Sequence, residues 1–229
     1  MGLVFDTLAG EIPLVRRVWS AHCEATTAFN SVVKSSTLIS FARYGHLVEV
    51  HVHGPESAAT RMPCPEGWEF FGVELQPGAY LPLYPPYRLA DHRDAQVPTP
   101  SGDRVVLDNQ EWEMPTEQNV DVFVGRLAHA GLLVFDPLID AIRHGERPRA
   151  MSERTAQLRF RRAVGISHRK FASIEQARRA ARFLTDGGSI ADAVAVGGYY
   201  DQPHLTRAMR WATRHTPAEL RARVSPLAF

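Results

Sequence analysis

Between Gly187 and Arg221 the chain reads GGSIADAVAVGGYYDQPHLTRAMRWATRHTPAELR, and this stretch admits few folds. Its spacing predicts a helix, a tight turn and a second helix. Ser189 is placed to cap a short helix whose Ile190, Ala193 and Val194 recur at helical spacing, and Gly197-Gly198 supplies the permissive backbone of a sharp turn. Asp201 is the expected N-cap of the next helix. Pro203 fits its first turn, because the amide that proline lacks would have had no intrahelical partner there. At about 100° per residue, Leu205, Ala208, Met209 and Ala212 share one side while Pro203, Thr206, Arg207 and Arg210 share the other. A helix seated by its apolar side and showing Arg, Thr and Gln opposite has the geometry of a recognition helix, since Arg pairs bidentately with guanine and Gln with adenine in the major groove. A solvated arginine face on an ordinary helical hairpin is the plainer reading.

The wider segment decides between them. From Met151, SERTAQLRFRRAVGIS, a bridging helix, the stretch above and a closing Thr216-Pro217 resemble, in order, the paired helix-turn-helix domain of the AraC/XylS family of transcription regulators. The family's second motif runs Gly-aromatic, a polar stretch, an apolar residue, Ser/Thr-Arg, Phe-Lys/Arg and Thr-Pro. Here Gly198-Tyr199, Asp201 to His204, Leu205, Thr206-Arg207, Met209-Arg210 and Thr216-Pro217 occupy those slots. Arg214 departs from the pattern, standing where the family places Gly, although an arginine there suits the negative end of the helix dipole.

The net charge of +1 hides a division. Residues 1–142 hold 9 Lys and Arg against 18 Asp and Glu, a net −9, while residues 143–229 hold 17 against 7, a net +10. A basic carboxy-terminal part joined to an acidic module is the electrostatic footprint of a nucleic-acid binder attached to a part that avoids phosphate. Mutual attraction of the two halves explains the same numbers, and the acidic half would then shield the basic one. No apolar run reaches the roughly 18 residues of a membrane span, and the start of the chain lacks the features of a secretion signal, so a cytoplasmic protein is expected. Cys23 and Cys64 form no ligand-spaced cluster and are expected as two thiols in a reducing compartment.

Residues 1–115 read as mostly β. Ser36 to Ala42, Leu47 to Val52 and Phe70 to Leu75 are short apolar or β-branched runs divided by turns such as Gly54-Pro55 and Pro77-Gly78, which predicts a small barrel or sandwich. FFGVELQPG, a Pro-rich loop and then WEMP resemble the cupin-like sensor halves of some AraC-type regulators. Gly45, His51, His53 and Glu56 invite comparison with the cupin metal motif, in which alternate strand positions turn both imidazoles toward one cation. The glycine and His-x-His fit, but only two residues separate His53 from Glu56 where the motif has three or four. Two histidines beside Glu49 on the outer face of a strand explain the pattern without a metal, so neither metal nor other cofactor is expected. No nucleophile with its base, phosphate loop or carboxylate pair stands out, and Cys64 and His92 read as isolated residues.

Val120, Phe123, Val124 and Leu127 predict an amphipathic helix ending near Gly131, and Asp136-Pro137 starts another with Leu138 and Ile142 inward. These helices either pack on the barrel or pair with a second subunit. The first DNA-binding motif is expected to be abbreviated, because Gly145-Glu146-Arg147-Pro148-Arg149-Ala150 occupies the place of its supporting helix. Its second helix is expected from Ser152, with Ala156, Phe160 and Val164 buried and Arg154, Leu158, Arg161 and Arg162 outward; Leu158 either touches a thymine methyl or packs against a neighbour. Phe171 to Asp186 predicts a bridge of about 17 residues, roughly 25 Å, suited to hold two recognition helices about 34 Å apart, with Arg178, Arg179 and Arg182 at phosphate or in solvent.

The expected fold class is therefore α+β: a β-barrel, cupin-like sensor domain (1–115), a helical connector (116–145) and an all-α domain (146–229) with two helix-turn-helix motifs, the first abbreviated. The expected function is sequence-specific DNA binding by an effector-responsive transcription regulator that is not an enzyme. Arg154, Gln157 and Arg161 in the first motif, and Gln202, His204, Thr206, Arg207 and Arg210 in the second, are the expected DNA-contacting residues. The resemblance implies double-stranded DNA, a small-molecule effector, RNA polymerase and a second copy of the chain as partners, and no membrane. A cupin-type metalloenzyme with a helical appendage is the alternative; a DNA-repair protein or anti-activator using the same helices is less favoured, for want of a reactive cysteine cluster.

Overall fold

The computed structural model describes residues 3–7, 12–91, 94–146, 148–223 and 227–228; His92 and Arg147 lie outside the described residues. The amino-terminal part is built from strands β1 (Leu3–Thr7), β2 (Val15–Cys23), β3 (Thr27–Ser31), β4 (Leu38–Tyr44), β5 (Leu47–His53), β6 (Thr60–Cys64), β7 (Glu69–Leu75) and β8 (Ala79–Tyr80). After the single turn α1 (Pro86–Leu89) follow β9 (Ala95–Val97), β10 (Arg104–Leu107) and β11 (Gln110–Glu113), then α2 (Val120–His129), β12 (Val134–Phe135) and α3 (Leu138–Arg143). Five helices complete the chain, namely α4 (Glu153–Val164), α5 (His168–Thr185), α6 (Ile190–Gly197), α7 (Gln202–Thr213) and α8 (Pro217–Arg221), before the short β13 (Leu227–Ala228). No helix among the described residues is long and apolar enough to cross a membrane.

Six strands form an antiparallel sheet in the order β1-β2-β7-β4-β5-β9, and a three-stranded sheet, β13-β3-β6, faces it across a cavity. Alternation explains the two faces of the large sheet. Val18, Ile39, Phe41, Val50, Val52 and Val73 bury one face against Phe123, Val124 and Leu127 of α2, so the connector packs on the sheet within this chain. Full burial of side chains of that size contributes about 1.5–3 kcal/mol each, and makes this cluster the main support of the amino-terminal half. On the other face, Glu49, His51 and His53 line the cavity together, so the two histidines share a face with Glu49 as expected, and that face borders an open cavity between the sheets.

The cysteines overturn an expectation. Cys23, at the end of β2, and Cys64, at the end of β6, are joined in a disulfide and fully buried, not two thiols. They are 41 residues apart in sequence and meet only because the two sheets close on each other there, which no local spacing announces. The bond is at odds with a strictly reducing compartment, since disulfides persist in oxidising ones.

Side-chain caps define the helical part. Ser152, Ser167, Ser189, Asp201 and Thr216 each accept a hydrogen bond from the backbone N–H three residues on, and Thr216 with Glu219 completes a reciprocal capping box. The bridging helix thus starts at His168, three residues before the expected Phe171, because Ser167 caps it. Phe160, Ile174, Ala177, Leu184, Ala193, Leu205 and Met209 form one core, which also takes in Val32 and Val33 from the loop after β3 and Ile139 and Ile142 from α3. The two halves of the chain are therefore packed together rather than strung on a linker.

Candidate nucleic-acid interface and sensor cavity

The turn between α6 and α7 works as the sequence suggests. Gly198 takes a left-handed φ of +65°, and a Cβ on Gly197 would lie 2.5 Å from the Tyr199 ring, so both positions need glycine. Gln176 of α5 donates to the carbonyls of Gly197 (2.6 Å) and Gly198 (3.3 Å), which fastens the turn to the bridging helix. Leu205, Met209 and Ala212 are fully buried and seat α7. Gln202, His204, Arg207 and Arg210 are exposed on its opposite side, and Thr206 is half-buried, its hydroxyl donating to the Gln202 carbonyl at 2.9 Å. His204 is held edge-on against Tyr199, with ring centroids 5.1 Å apart. Arg207 and Arg210 make no hydrogen bond or ion pair among the described residues, so their guanidinium groups remain available to an anionic partner.

The first motif follows the same plan with a shorter support. Ala156, Phe160 and Val164 of α4 are buried, while Arg154, Gln157, Arg161 and Arg162 are exposed; Gln157 donates to Glu153 at 3.2 Å. Leu158 is 61 % exposed, which removes the reading that packed it against a neighbouring helix. Only the six residues of α3 precede α4, consistent with an abbreviated motif. Arg159, on the same helix, is engaged by both carboxylate oxygens of Asp136 and is not free for phosphate.

On the bridge the structure corrects the sequence reading. Arg178 touches neither solvent nor phosphate: its side chain is 1 % exposed and its guanidinium donates to both Glu74 oxygens, at 3.1 and 3.2 Å, and to the Val33 carbonyl at 3.1 Å. Glu175, one turn earlier, receives both terminal nitrogens of Arg16, at 2.9 and 2.7 Å. Sequence periodicity could show that Glu175, Arg178 and Arg182 share a stripe at i, i+3 and i+7. It could not show that this stripe meets the β-rich half, because the charges answering it lie a hundred residues away or more. Of the three bridge arginines, Arg179 is exposed.

The partners of this stripe arise from a bulge. The register between β2 and β7 shifts between Val15 and Arg17, so adjacent arginines turn different ways. Arg16 reaches α5, whereas Arg17 lines the cavity with a terminal nitrogen 3.4 Å from Glu74. Burial pushes the Arg17 guanidinium down to about 10; Glu74 offsets this only in part, and Arg178, Arg182 and Arg16 add repulsion. Burial also works against the Glu74 carboxylate, but Arg178, Arg16 and Arg17, with the Ser36 hydroxyl, outweigh it and hold it at about 2.

The cavity has a volume of about 470 Å³. Three rows of the large sheet make its floor: Arg17, Glu74, Leu38 and His53; then Trp19, Gly72, Ser40 and His51; then Ala21, Phe70, Ala42 and Glu49. A Cβ at Gly72 would lie 2.2 Å from the Trp19 indole, which therefore rests against the bare backbone there. Phe29 and Met62 of the smaller sheet form the roof, with Trp68 to one side. His51 pairs with Asp94 at 2.6 Å and His53 with Ser40 at 2.7 Å. Lys34 pairs with Glu56 at 2.7 Å, so the carboxylate considered as a metal ligand is committed to a lysine. Among the described residues no group of three or more His, Cys, Asp or Glu side chains is placed to hold a metal ion.

No curated protein matches the chain. Solved structures of similar outline include ToxT from Vibrio cholerae O395 bound to (E)-4-(8-methylnaphthalen-1-yl)but-3-enoic acid, 9% identical, with 96% of this chain and 99% of that one aligned at a TM-score of 0.45. A second is unsaturated fatty acid bound wild-type ToxT from Vibrio cholerae strain SCE256, 11% identical, covering 95% and 94% at a TM-score of 0.41. Likeness at that level decides nothing about this chain. The helices do better, since residues 149–223 match the family profile described as a helix-turn-helix domain. With its motif order, its capped helices and its exposed arginine faces, the segment 149–223 is a helix-turn-helix domain of the AraC/XylS type.

Proposed function

We propose that the chain is a sequence-specific, effector-responsive DNA-binding transcription regulator and not an enzyme, with residues 1–115 as sensor, 116–145 as connector and 146–229 as DNA-binding domain. The observation that carries the reading is α7, a helix locked by Leu205 and Met209 beneath an exposed Arg207–Arg210 face inside a helix-turn-helix domain. Arginines at phosphate set register and Arg154, Gln157, Arg161, Gln202, His204, Thr206, Arg207 and Arg210 supply the reading surface. Double-stranded DNA and a small molecule in the cavity are the proposed partners, with RNA polymerase and a second copy of the chain following from the resemblance alone. Work in the cytoplasm belongs to the same proposal, and thiol titration of protein purified from the cytoplasm tests it against the Cys23–Cys64 bond.

The decisive experiment is selection of bound duplexes from a random pool, followed by gel-shift titration of the selected site. Arg207→Ala is expected to cost about 1–3 kcal/mol at that site and to relax the preferred base at one position. An equal loss on every duplex would make Arg207 a phosphate contact, and absence of duplex binding at low salt would remove the proposal.

A further inference from the structure

Resting on the effector-responsive reading just given, the floor of the cavity says what kind of molecule it takes. We infer that the cavity receives a small organic acid with an apolar, ring-sized body, its carboxylate seated against Arg17 and its body laid along Trp19, Phe29 and Phe70.

Charge is distributed unevenly around the space. At the Arg17 end, Arg16, Arg17 and Arg178 converge on the single carboxylate of Glu74, and Arg16 also holds Glu175. Glu74 is shared among three arginines, at 3.1 Å from Arg178, 3.4 Å from Arg17 and 3.8 Å from Arg16, so Arg17 holds the weaker claim. Its Nε–H is buried without a hydrogen-bond partner among the described residues, while 21 % of the side chain stays accessible. A buried cation with an incomplete set of acceptors is costly, and a planar carboxylate suits a guanidinium fork. Burial is the main cause of the depressed Arg17 guanidinium, and Glu74 offsets it only in part.

At the opposite corner of the floor stand Glu49 and Asp94, the latter already paired with His51. Three strand spacings and two rows separate Arg17 from Glu49, about 19 Å along the diagonal. Those carboxylates repel an acidic head, which leaves one orientation. Lys34 does not compete for it, because Glu56 neutralises it at 2.7 Å. Between the poles the surface is aromatic, with Trp68 and Phe70 stacked at 6.1 Å and Phe29 edge-on to Phe70 at 6.5 Å.

Occupancy is felt outside the cavity through Glu74. A carboxylate on Arg17 releases Glu74 from that partner and leaves it to Arg178 of α5, the helix that joins the two DNA-binding motifs. The acid thereby strengthens the docking of α5 on the sensor.

Calorimetric titration of the intact protein with 3-phenylpropionate, 3-phenylpropanol and 3-phenylpropylamine tests the assignment, since the three share a body and differ in the head. The acid is expected to bind about ten-fold or more tighter than the alcohol, with the amine weakest. In Arg17→Gln, shown to be folded by its thermal transition, the acid and alcohol should bind alike. The alcohol or amine equalling the acid, or the acid's advantage surviving in Arg17→Gln, would overturn the assignment while leaving the cavity a ligand site. Binding of none of the three also overturns it, and a gel shift on the same preparation scores DNA binding separately. Should Arg17→Gln fail to fold, the head-group comparison on the unaltered chain still decides.

Discussion

Replacing Glu74 by Gln should unfold the contact between the two halves of this chain more readily than any surface change. The carboxylate is 3 % exposed and is the common acceptor of Arg16, Arg17 and Arg178. Its displacement from 4.5 to about 2 corresponds, at 1.36 kcal/mol per pH unit, to about 3 kcal/mol of stability in its ionised form. Breaking one side of a buried ion pair costs about 3–5 kcal/mol for the same reason, that the remaining cation is stranded away from water. Glu74→Gln should therefore lose about 3 kcal/mol in urea denaturation, a large share of the 5–15 kcal/mol of a typical domain. Because the folded carboxylate titrates below its unfolded value, this stabilisation is fully present above about pH 4.5 and drains away as pH falls toward 2. Glu74→Gln should lack that component of acid lability. Replacing Glu74 together with its closest partner, Glu74→Leu with Arg178→Met, should restore only part of the loss, since Arg178 is no longer stranded but Arg17 still lacks its carboxylate. A loss below about 1 kcal/mol in Glu74→Gln, or an unchanged pH dependence between 4.5 and 2, would refute the account.

Two further outcomes follow from local features. Arg214 ends α7 in the left-handed region, with φ +66°, where a side chain is strained by about 1 kcal/mol; Arg214→Gly should raise the thermal midpoint by a few degrees, and a fall would show that its charge at the helix end matters more. Reduction of Cys23–Cys64 opens a loop spanning 41 residues and should lower stability by up to about 4 kcal/mol, read by urea denaturation with and without dithiothreitol; equal midpoints would show that the bond contributes nothing.

Much of the helical part was legible in one dimension because its determinants are local. A cap and its amide lie three residues apart, the face of α7 repeats within one turn, and Gly197-Gly198 marks its own corner. The order of these signals also carried the resemblance that the family profile bears out over residues 149–223. Within the β-rich part the apolar runs at β4, β5 and β7 were visible, and α2 was placed by its i, i+3, i+4, i+7 pattern. Strand β2 escaped notice, since VRRVWSAHC alternates poorly around the bulge at Arg16.

What the linear chain determined is the identity of its elements and the exposure of the α7 arginines, properties set by neighbours a few residues away. What only the tertiary structure decided is which surfaces meet: that His51 and His53 look into a cavity, that Cys23 finds Cys64, and that Arg178 is spent on Glu74 rather than on phosphate. A lone arginine on a helix has the same local signature in either role, and only the fold brings up, from 104 residues away, the carboxylate that settles it.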